Sequence, residues 1–98
     1  MAKAKKDIDP IKSIKSIVSQ YEDYAITQID AVYALVELMG QATRSEIHNI
    51  MSLSKKRTTL SSSVGRSLST MVHNGYLIMT DETTRGNYNL PNHYFKIK

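Results

Sequence analysis

A short cluster of cations and a following run of serines are the side chains in this sequence best suited to binding chemistry. Lys55, Lys56 and Arg57 are consecutive. Arg66 lies within the serine-rich segment that follows them. Residues 47–80 contain no acidic residue, so no carboxylate in that window offsets the four cations. An acid-free basic surface approaches a polyanion without repulsion, and each phosphate that it neutralises releases counterions. The pattern indicates anion binding, with a solvated basic face as the alternative interpretation.

Two successive helices are predicted to position these side chains. Thr43 and Glu46 form a capping-box pattern, which predicts the start of the first helix. A long turn carries the cations, and a second helix begins at about Ser61 and ends before Gly75, which can adopt the left-handed conformation. Spacings of three and four residues assign the inner faces of the two helices, which are Ile47, Ile50, Met51 and Leu53 in the first and Val64, Leu68, Met71 and Val72 in the second.

The outer face of the second helix combines short hydroxyl side chains with one arginine. Such side chains permit close approach to the base edges and phosphates of duplex DNA, which long acidic side chains would block. The helix residues expected to contact DNA are Ser61 at the cap, Ser62, Ser63, Arg66, Ser69 and Thr70. The expected contacts from the turn are Lys55, Lys56, Arg57, Thr58 and Thr59. Gly65 costs this helix about 1 kcal/mol relative to alanine. It either lets the helix pack closely on the preceding core helix or removes a side chain where the helix meets DNA.

A β-hairpin is predicted after Gly75. Residues 76–80 have the composition of a strand, and residues 94–98 alternate as a strand does. Residues 81–87 have turn composition, which places Arg85 at the hairpin tip, where it reaches a minor groove or a phosphate. An exposed arginine without a partner is the alternative interpretation of Arg85.

The amino-terminal part of the chain is predicted to contain a tail and two helices. Residues 1–8 are rich in lysine and lack periodic apolar positions, which predicts a flexible basic tail. Asp9 and Pro10 predict the start of a helix that ends at about Tyr24. A more continuously apolar core helix follows and ends at Gly40. The apolar stripe of the first helix either completes a monomeric core or, as we expect, forms a dimer interface through Ile11, Ile14, Ile17, Val18 and Tyr21.

Composition excludes several classes of function. The chain of 98 residues is long enough for one small domain over residues 9–98, and a core of this size would be stabilised by association with a second copy. It has no cysteine, and its three histidines lack ligand spacing, so we expect neither a metal site nor a cofactor. Residues 61–63 lack the context of a catalytic nucleophile, so we expect no enzyme. No apolar run is long enough to span a membrane, and we expect a cytoplasmic protein.

The succession of elements resembles the winged helix-turn-helix domain of PadR-, MarR- and ArsR-like regulators. The likeness covers about the last seventy residues and rests on this order of elements and on the string His73-Asn74-Gly75-Tyr76-Leu77, where a helix ends and a wing strand begins. We therefore expect a mainly α fold with a small β-hairpin, that is, a winged helix-turn-helix with an extra N-terminal helix. The resemblance implies a homodimer that places recognition helices, residues 61–70, in successive major grooves, with Arg85 at the tip of each wing. Half-sites of a palindrome would then lie roughly 34 Å apart.

Two biological roles agree with a small dimer of this kind. One is a transcriptional regulator that represses by occluding a promoter. The other is a centromere-binding adaptor in plasmid partition, which coats a site and recruits a second partition protein, and either role would place the protein on the nucleoid or a plasmid. The alternative from another class is a protein-docking module in which the basic turn meets an acidic partner without direct DNA binding.

Overall fold

The computed structural model describes the backbone of residues 10–85 and 91–98 and the side chains of residues 14–80 and 93–98. Within those ranges the elements are α1 (Pro10–Glu22), α2 (Gln28–Met39), β1 (Ala42–Thr43), α3 (Arg44–Met51), α4 (Ser61–His73), β2 (Leu77–Arg85) and β3 (Pro91–Ile97). The predicted fold class, mainly α with a small β-hairpin, is confirmed. The predicted basic tail, the Asp9 cap and the centre of the hairpin turn lie outside the described residues.

Local capping chemistry fixes the starts of α2 and α3. The Thr27 hydroxyl accepts from the Asp30 amide, and the Asp30 carboxylate accepts from the Thr27 amide. Thr43 and Glu46 form the same reciprocal pair at α3, as the sequence predicted. Gly40, at the end of α2, has a φ of 85°, which only glycine adopts at little cost. The two capping boxes and Gly40 therefore fix where α2 begins and ends and where α3 begins.

The three strands form an antiparallel sheet in the order β1-β3-β2. The two-residue strand β1 was not predicted, since a segment so short has no periodicity to recognise. The hairpin strands are longer than predicted, because β2 continues through residues 81–85 and β3 begins at Pro91. A register irregularity between Met79 and Thr83 accommodates the polar segment within β2. Pro91 is tolerated because it is the first residue of its strand.

The core lies between the helices and the inner face of the sheet, and α1 contributes to it. Tyr21 is 1% exposed and belongs to the same buried cluster as residues of α2, α3, α4 and β2. Its hydroxyl forms a hydrogen bond with the hydroxyl of Thr59, which is 7% exposed. This pair joins the end of α1 to the turn between α3 and α4, and it satisfies two polar groups that burial would otherwise penalise.

Removing either hydroxyl of the Tyr21 and Thr59 pair is expected to destabilise the fold by about 1–3 kcal/mol, because the remaining hydroxyl would be buried without a partner. Tyr21→Phe and Thr59→Val would each lower the midpoint of urea denaturation. The double variant should lose less than the sum of the two single losses, since it leaves no unsatisfied group. Strictly additive losses would contradict a direct coupling between these side chains.

Candidate nucleic-acid interface

The outer face of α4 carries the hydroxyls and the arginine that the sequence assigned to it. Residues on this face are exposed at Ser61, Ser62, Arg66, Ser69 and Thr70, while Ser63 is half-buried. Val64, Leu68 and Met71 are buried on the opposite side. Residues 62, 66, 69 and 70 lie four, three and one apart, so they form one continuous strip along the helix.

The amino end of α4 differs from the predicted one. Leu60 is the N-cap, and Ser61 is the first helical residue rather than the cap. No side chain caps this end, in contrast to α2 and α3. The Ser63 and Val64 amides both donate to the Leu60 carbonyl, at 3.0 and 3.1 Å. Within the described residues, no side-chain oxygen therefore covers the positive end of the α4 dipole.

The basic turn is fastened to the carboxyl end of α1. The Lys55 amide donates to Glu22 Oε2 over 2.7 Å, and the Ser54 hydroxyl donates to the same oxygen over 3.4 Å. Lys56 Nζ lies 3.6 Å from Asp23 Oδ1. Two carboxylates from a segment more than thirty residues earlier in the chain therefore contact the turn. Lys55 and Lys56 keep exposed side chains, but their charge is partly offset in space.

The hydrogen bonds of the turn also change the acidity of Glu22. The Lys55 amide is the largest cause that holds the pKa of Glu22 below its ordinary value, and the Lys56 amide and charge and the Ser54 hydroxyl act in the same direction. Desolvation raises the pKa of Glu22, but its effect is smaller than that of the Lys55 amide. The ionised form of Glu22 is therefore the form that binds the turn.

Arg57 has a structural position that differs from the predicted DNA contact. Its guanidinium lies 4.1 Å from the ring centroid of Tyr21 and 4.3 Å from that of Tyr24. Nη1 donates to the Tyr21 carbonyl at 3.0 Å and to the Ile26 carbonyl at 3.3 Å. Tyr24 has a φ of 61°, a left-handed conformation that is uncommon for tyrosine. The half-buried Arg57 therefore stabilises the connection between α1 and α2, and its guanidinium is occupied within the chain.

The remaining residues of the turn and hairpin that were predicted to contact DNA differ in exposure. Thr58 is exposed, whereas Thr59 is buried and bonded to Tyr21, so its side chain does not face solvent. The Thr59 carbonyl lies 3.0 Å from His48 Nε2, which joins the turn to α3 as well. Arg85 is the last residue of β2 and is opposite Pro91 in the sheet. The position of the Arg85 side chain lies outside the described residues.

The predicted dimer interface on α1 is corrected in the same way. Tyr21 and Val18 are buried in the chain itself, because α1 packs on α2 and the turn. Ile14 and Ile17 are half-buried and packed against the core, and the side chain of Ile11 lies outside the described residues. Leu53, predicted to face inward, is 63% exposed because α3 ends at Met51.

An open groove lies beside α1 at the position of Leu53. The residues that line it are Ile14, Lys15, Val18, Ser19, Glu22 and Leu53. Its apolar lining residues are Ile14, Val18 and Leu53. Lys15 and Glu22, of opposite charge, are two helical turns apart along α1. This α1 groove, which includes Ile14 and Val18 of the predicted interface, is an apolar surface available to a second copy.

The sequence interpretation did not assign a role to Arg44. Arg44 is exposed at the first position of α3, and its side chain lies against Gly65 of α4. Arg44 precedes Glu46 and so lies outside the acid-free window of residues 47–80 that contains the other four cations. The position of Arg44 directly after the Thr43 cap could have identified it, because the amino end of α3 adjoins the predicted recognition helix.

The described part of the chain offers little for other kinds of site. Among these residues no group of three or more histidine, cysteine, aspartate or glutamate side chains is arranged to hold a metal ion. None of the described helices is both long and apolar enough to cross a membrane. Comparisons with protein-family models, with curated proteins and with solved structures give no match to this chain.

Replacing Glu22 by glutamine is expected to destabilise the fold in a pH-dependent manner. The pKa of Glu22 is lower in the folded chain than in the unfolded chain, so its stabilising effect is complete above the unfolded-state pKa of about 4.3 and is lost as the pH falls through the folded-state pKa. Urea denaturation midpoints of the wild type and Glu22→Gln should therefore differ at neutral pH and converge in acid. Glu37→Gln, on the exposed side of α2, is the matched control. A difference that is constant with pH would refute the role of the charge.

Proposed function

We propose that this protein is a site-specific double-stranded DNA-binding homodimer of the winged helix-turn-helix type. The observation that carries the proposal is the outer face of α4, where exposed hydroxyls and Arg66 form one strip free of carboxylates. A helix with short polar side chains and one guanidinium fits the major groove, where arginine reads guanine by two parallel hydrogen bonds. Arg66 is accordingly assigned to base readout, and the serine and threonine hydroxyls to bases and phosphates.

Electrostatics support an approach to DNA centred on this face, with the basic turn in a secondary role. Glu22 and Asp23 offset part of the charge of the basic turn, and the Arg57 guanidinium is occupied by aromatic rings and carbonyls. The exposed ammonium groups of Lys55 and Lys56 are still in a position to meet phosphates beside the groove. The uncapped amino end of α4 adds a positive dipole end on the same side. Phosphate contacts would position the helix, and Arg66 would supply specificity.

Pairing of two copies is assigned to the α1 groove. In an antiparallel pair of α1 helices, Lys15 of one copy faces Glu22 of the other, and the contact is repeated by symmetry. Burial of Leu53 and its symmetry mate would contribute apolar area to the same contact. A symmetric dimer would recognise a palindrome, as expected for a transcriptional repressor or for a centromere-binding adaptor in plasmid partition. Either role implies a protein associated with the nucleoid or with a plasmid.

A protein-docking module is the second candidate, and one observation favours it. The basic turn binds the carboxylates of Glu22 and Asp23 in its own chain, so its geometry is compatible with carboxylates of a partner. An acidic partner would bind the lysines of the turn and leave the strip on α4 unused. Duplex DNA would need both surfaces, and this difference makes the two candidates separable.

Binding to DNA should depend differently on Arg66 and on Lys56. A duplex selected by the protein from a random library, and the same duplex with its sequence shuffled, are titrated at several salt concentrations. Arg66→Ala should weaken binding to the selected duplex by about 1–3 kcal/mol and binding to the shuffled duplex by much less. Lys56→Gln should weaken both to a similar extent and lower the salt slope by about one.

Lys98→Gln removes the same charge from an exposed residue after β3 and serves as the control. DNA binding is refuted if the wild-type chain selects no duplex, or if Arg66→Ala and Lys56→Gln match the control. Binding of an acidic peptide that is lost in Lys56→Gln and retained in Arg66→Ala would support the docking module instead.

Introducing a charge at Leu53 is expected to dissociate the dimer without unfolding the protomer. Leu53 is mostly exposed within the chain, so Leu53→Glu should leave the circular dichroism spectrum unchanged. Light scattering at matched concentrations should give the mass of a dimer for the wild type and of a monomer for the variant. Leu60→Glu changes another leucine, 62% exposed and outside the α1 groove, and is the matched control. A Leu53→Glu variant that remains dimeric would rule out pairing through this groove.

A further inference from the structure

Arg44 and Gly65 meet at the edge of the proposed DNA-binding face. A groove separates α4 from the β-hairpin, and its lining residues are Arg44, Gly65, Leu68, Ser69, Met79, His93 and Phe95. Leu68 is fully buried at the base, while Ser69 and Met79 are exposed at the rims. Arg44 supplies a permanent positive charge to this groove, next to the strip that contains Arg66.

The side chain of Arg44 occupies the space that a side chain at position 65 would need. A Cβ atom built on Gly65 would lie 3.1 Å from Arg44 Cδ and 3.4 Å from Arg44 Nη1. Both of these atoms belong to α3, so Gly65 does not serve close packing of α4 on α2, which was one of its two interpretations. The missing side chain instead allows the arginine to lie directly against the surface of α4.

Neither Gly65 nor Arg44 is favoured by the stability of the helix in which it lies. Glycine is, after proline, the least favourable residue inside a helix, and Gly65 lies in the first half of α4. A cation at the first position of α3 lies at the positive end of that helix dipole. Within the described residues, the one ion pair joins Lys56 to Asp23, and no carboxylate neutralises Arg44. Two unfavourable choices in direct contact are typical of a functional requirement that outweighs stability.

We propose that Arg44 binds a backbone phosphate of duplex DNA at the groove between α4 and the β-hairpin, and that Gly65 positions Arg44 for this contact. The inference rests on the proposed DNA-binding function and adds a phosphate site to it. With α4 in the major groove, the strand that borders the groove passes between α4 and the hairpin, where the Arg44 guanidinium lies. The Ser69 hydroxyl, on the rim of the same groove, is a second donor for the phosphate oxygens.

A double-mutant cycle tests the relation between the two residues. Arg44→Gln, Gly65→Ala and the double variant are titrated with the selected duplex over a range of salt concentrations. Arg44→Gln should lower the affinity by about fivefold to tenfold and the magnitude of the salt slope by about 0.9, because one phosphate contact is lost. Gly65→Ala should lower the affinity by a smaller factor, because the added Cβ shifts the guanidinium away from the phosphate but leaves its charge. In the Arg44→Gln background, Gly65→Ala should cause no further loss.

Stability measurements separate this effect from misfolding. Gly65→Ala should keep or raise the melting temperature, because alanine favours the helix and the flexible, exposed Arg44 side chain can shift by a few tenths of an ångström. A variant that is at least as stable and yet binds DNA less tightly supports positioning by Gly65. A lower melting temperature in Gly65→Ala would overturn it, since the glycine would then be required by the fold.

The other outcomes are also decisive. Additive losses in the double variant would mean that Gly65 itself faces the DNA, and would overturn its positioning role. If Arg44→Gln binds like the Lys98→Gln control while Arg66→Ala loses affinity, the phosphate site is refuted and the proposed DNA-binding function stands. If the wild-type chain selects no duplex, the proposed function fails and the phosphate site fails with it.

Discussion

The attachment of α1 to the turn between α3 and α4 is the constraint on which the rest of the structure depends. Two hydrogen bonds contribute to this attachment, the buried one between Tyr21 and Thr59 and the one that the Lys55 amide donates to Glu22. The third contribution is the stacking of the Arg57 guanidinium on the rings of two tyrosines. Each connects residues more than thirty positions apart, so together they hold a turn that has few apolar contacts of its own. The start of α4 follows directly after this turn, and the orientation of its outer face is set accordingly.

The helices could be predicted because their determinants are local. Capping pairs such as Thr43 and Glu46, and apolar spacings of three and four, lie within a few residues of the elements that they specify. The sheet was predicted less completely. Strand β1 has two residues and exists only because Phe95 and Tyr94 pair with it, and residues 81–85 take strand conformation despite turn composition. Strand β1 depends on pairing with a distant segment, whereas residues 83–85 pair with residues 91–93 of the same hairpin, and in both cases pairing overrode local preference.

The same distinction explains which site residues could be predicted. The exposed strip on α4 follows from helical periodicity, because the positions of Val64, Leu68 and Met71 determine which side is buried. The positions of Arg57 and Thr59 do not follow from it, since the groups that bind them come from α1 and from the segment after it. A cation in a basic run has the same sequence signature whether it meets a phosphate or a carbonyl of its own chain.

The strand order β1-β3-β2 leaves one side of β2 without a neighbour in the sheet. An edge strand of nine residues is a template for association with strands of other molecules, which leads to aggregation. Two features of β2 oppose this. Its register is interrupted between Met79 and Thr83, and the interruption contains consecutive acidic residues, Asp81 and Glu82. Because neither a bulged nor a charged edge strand readily pairs with a further strand, β2 would resist edge-to-edge aggregation even at a high local protein concentration.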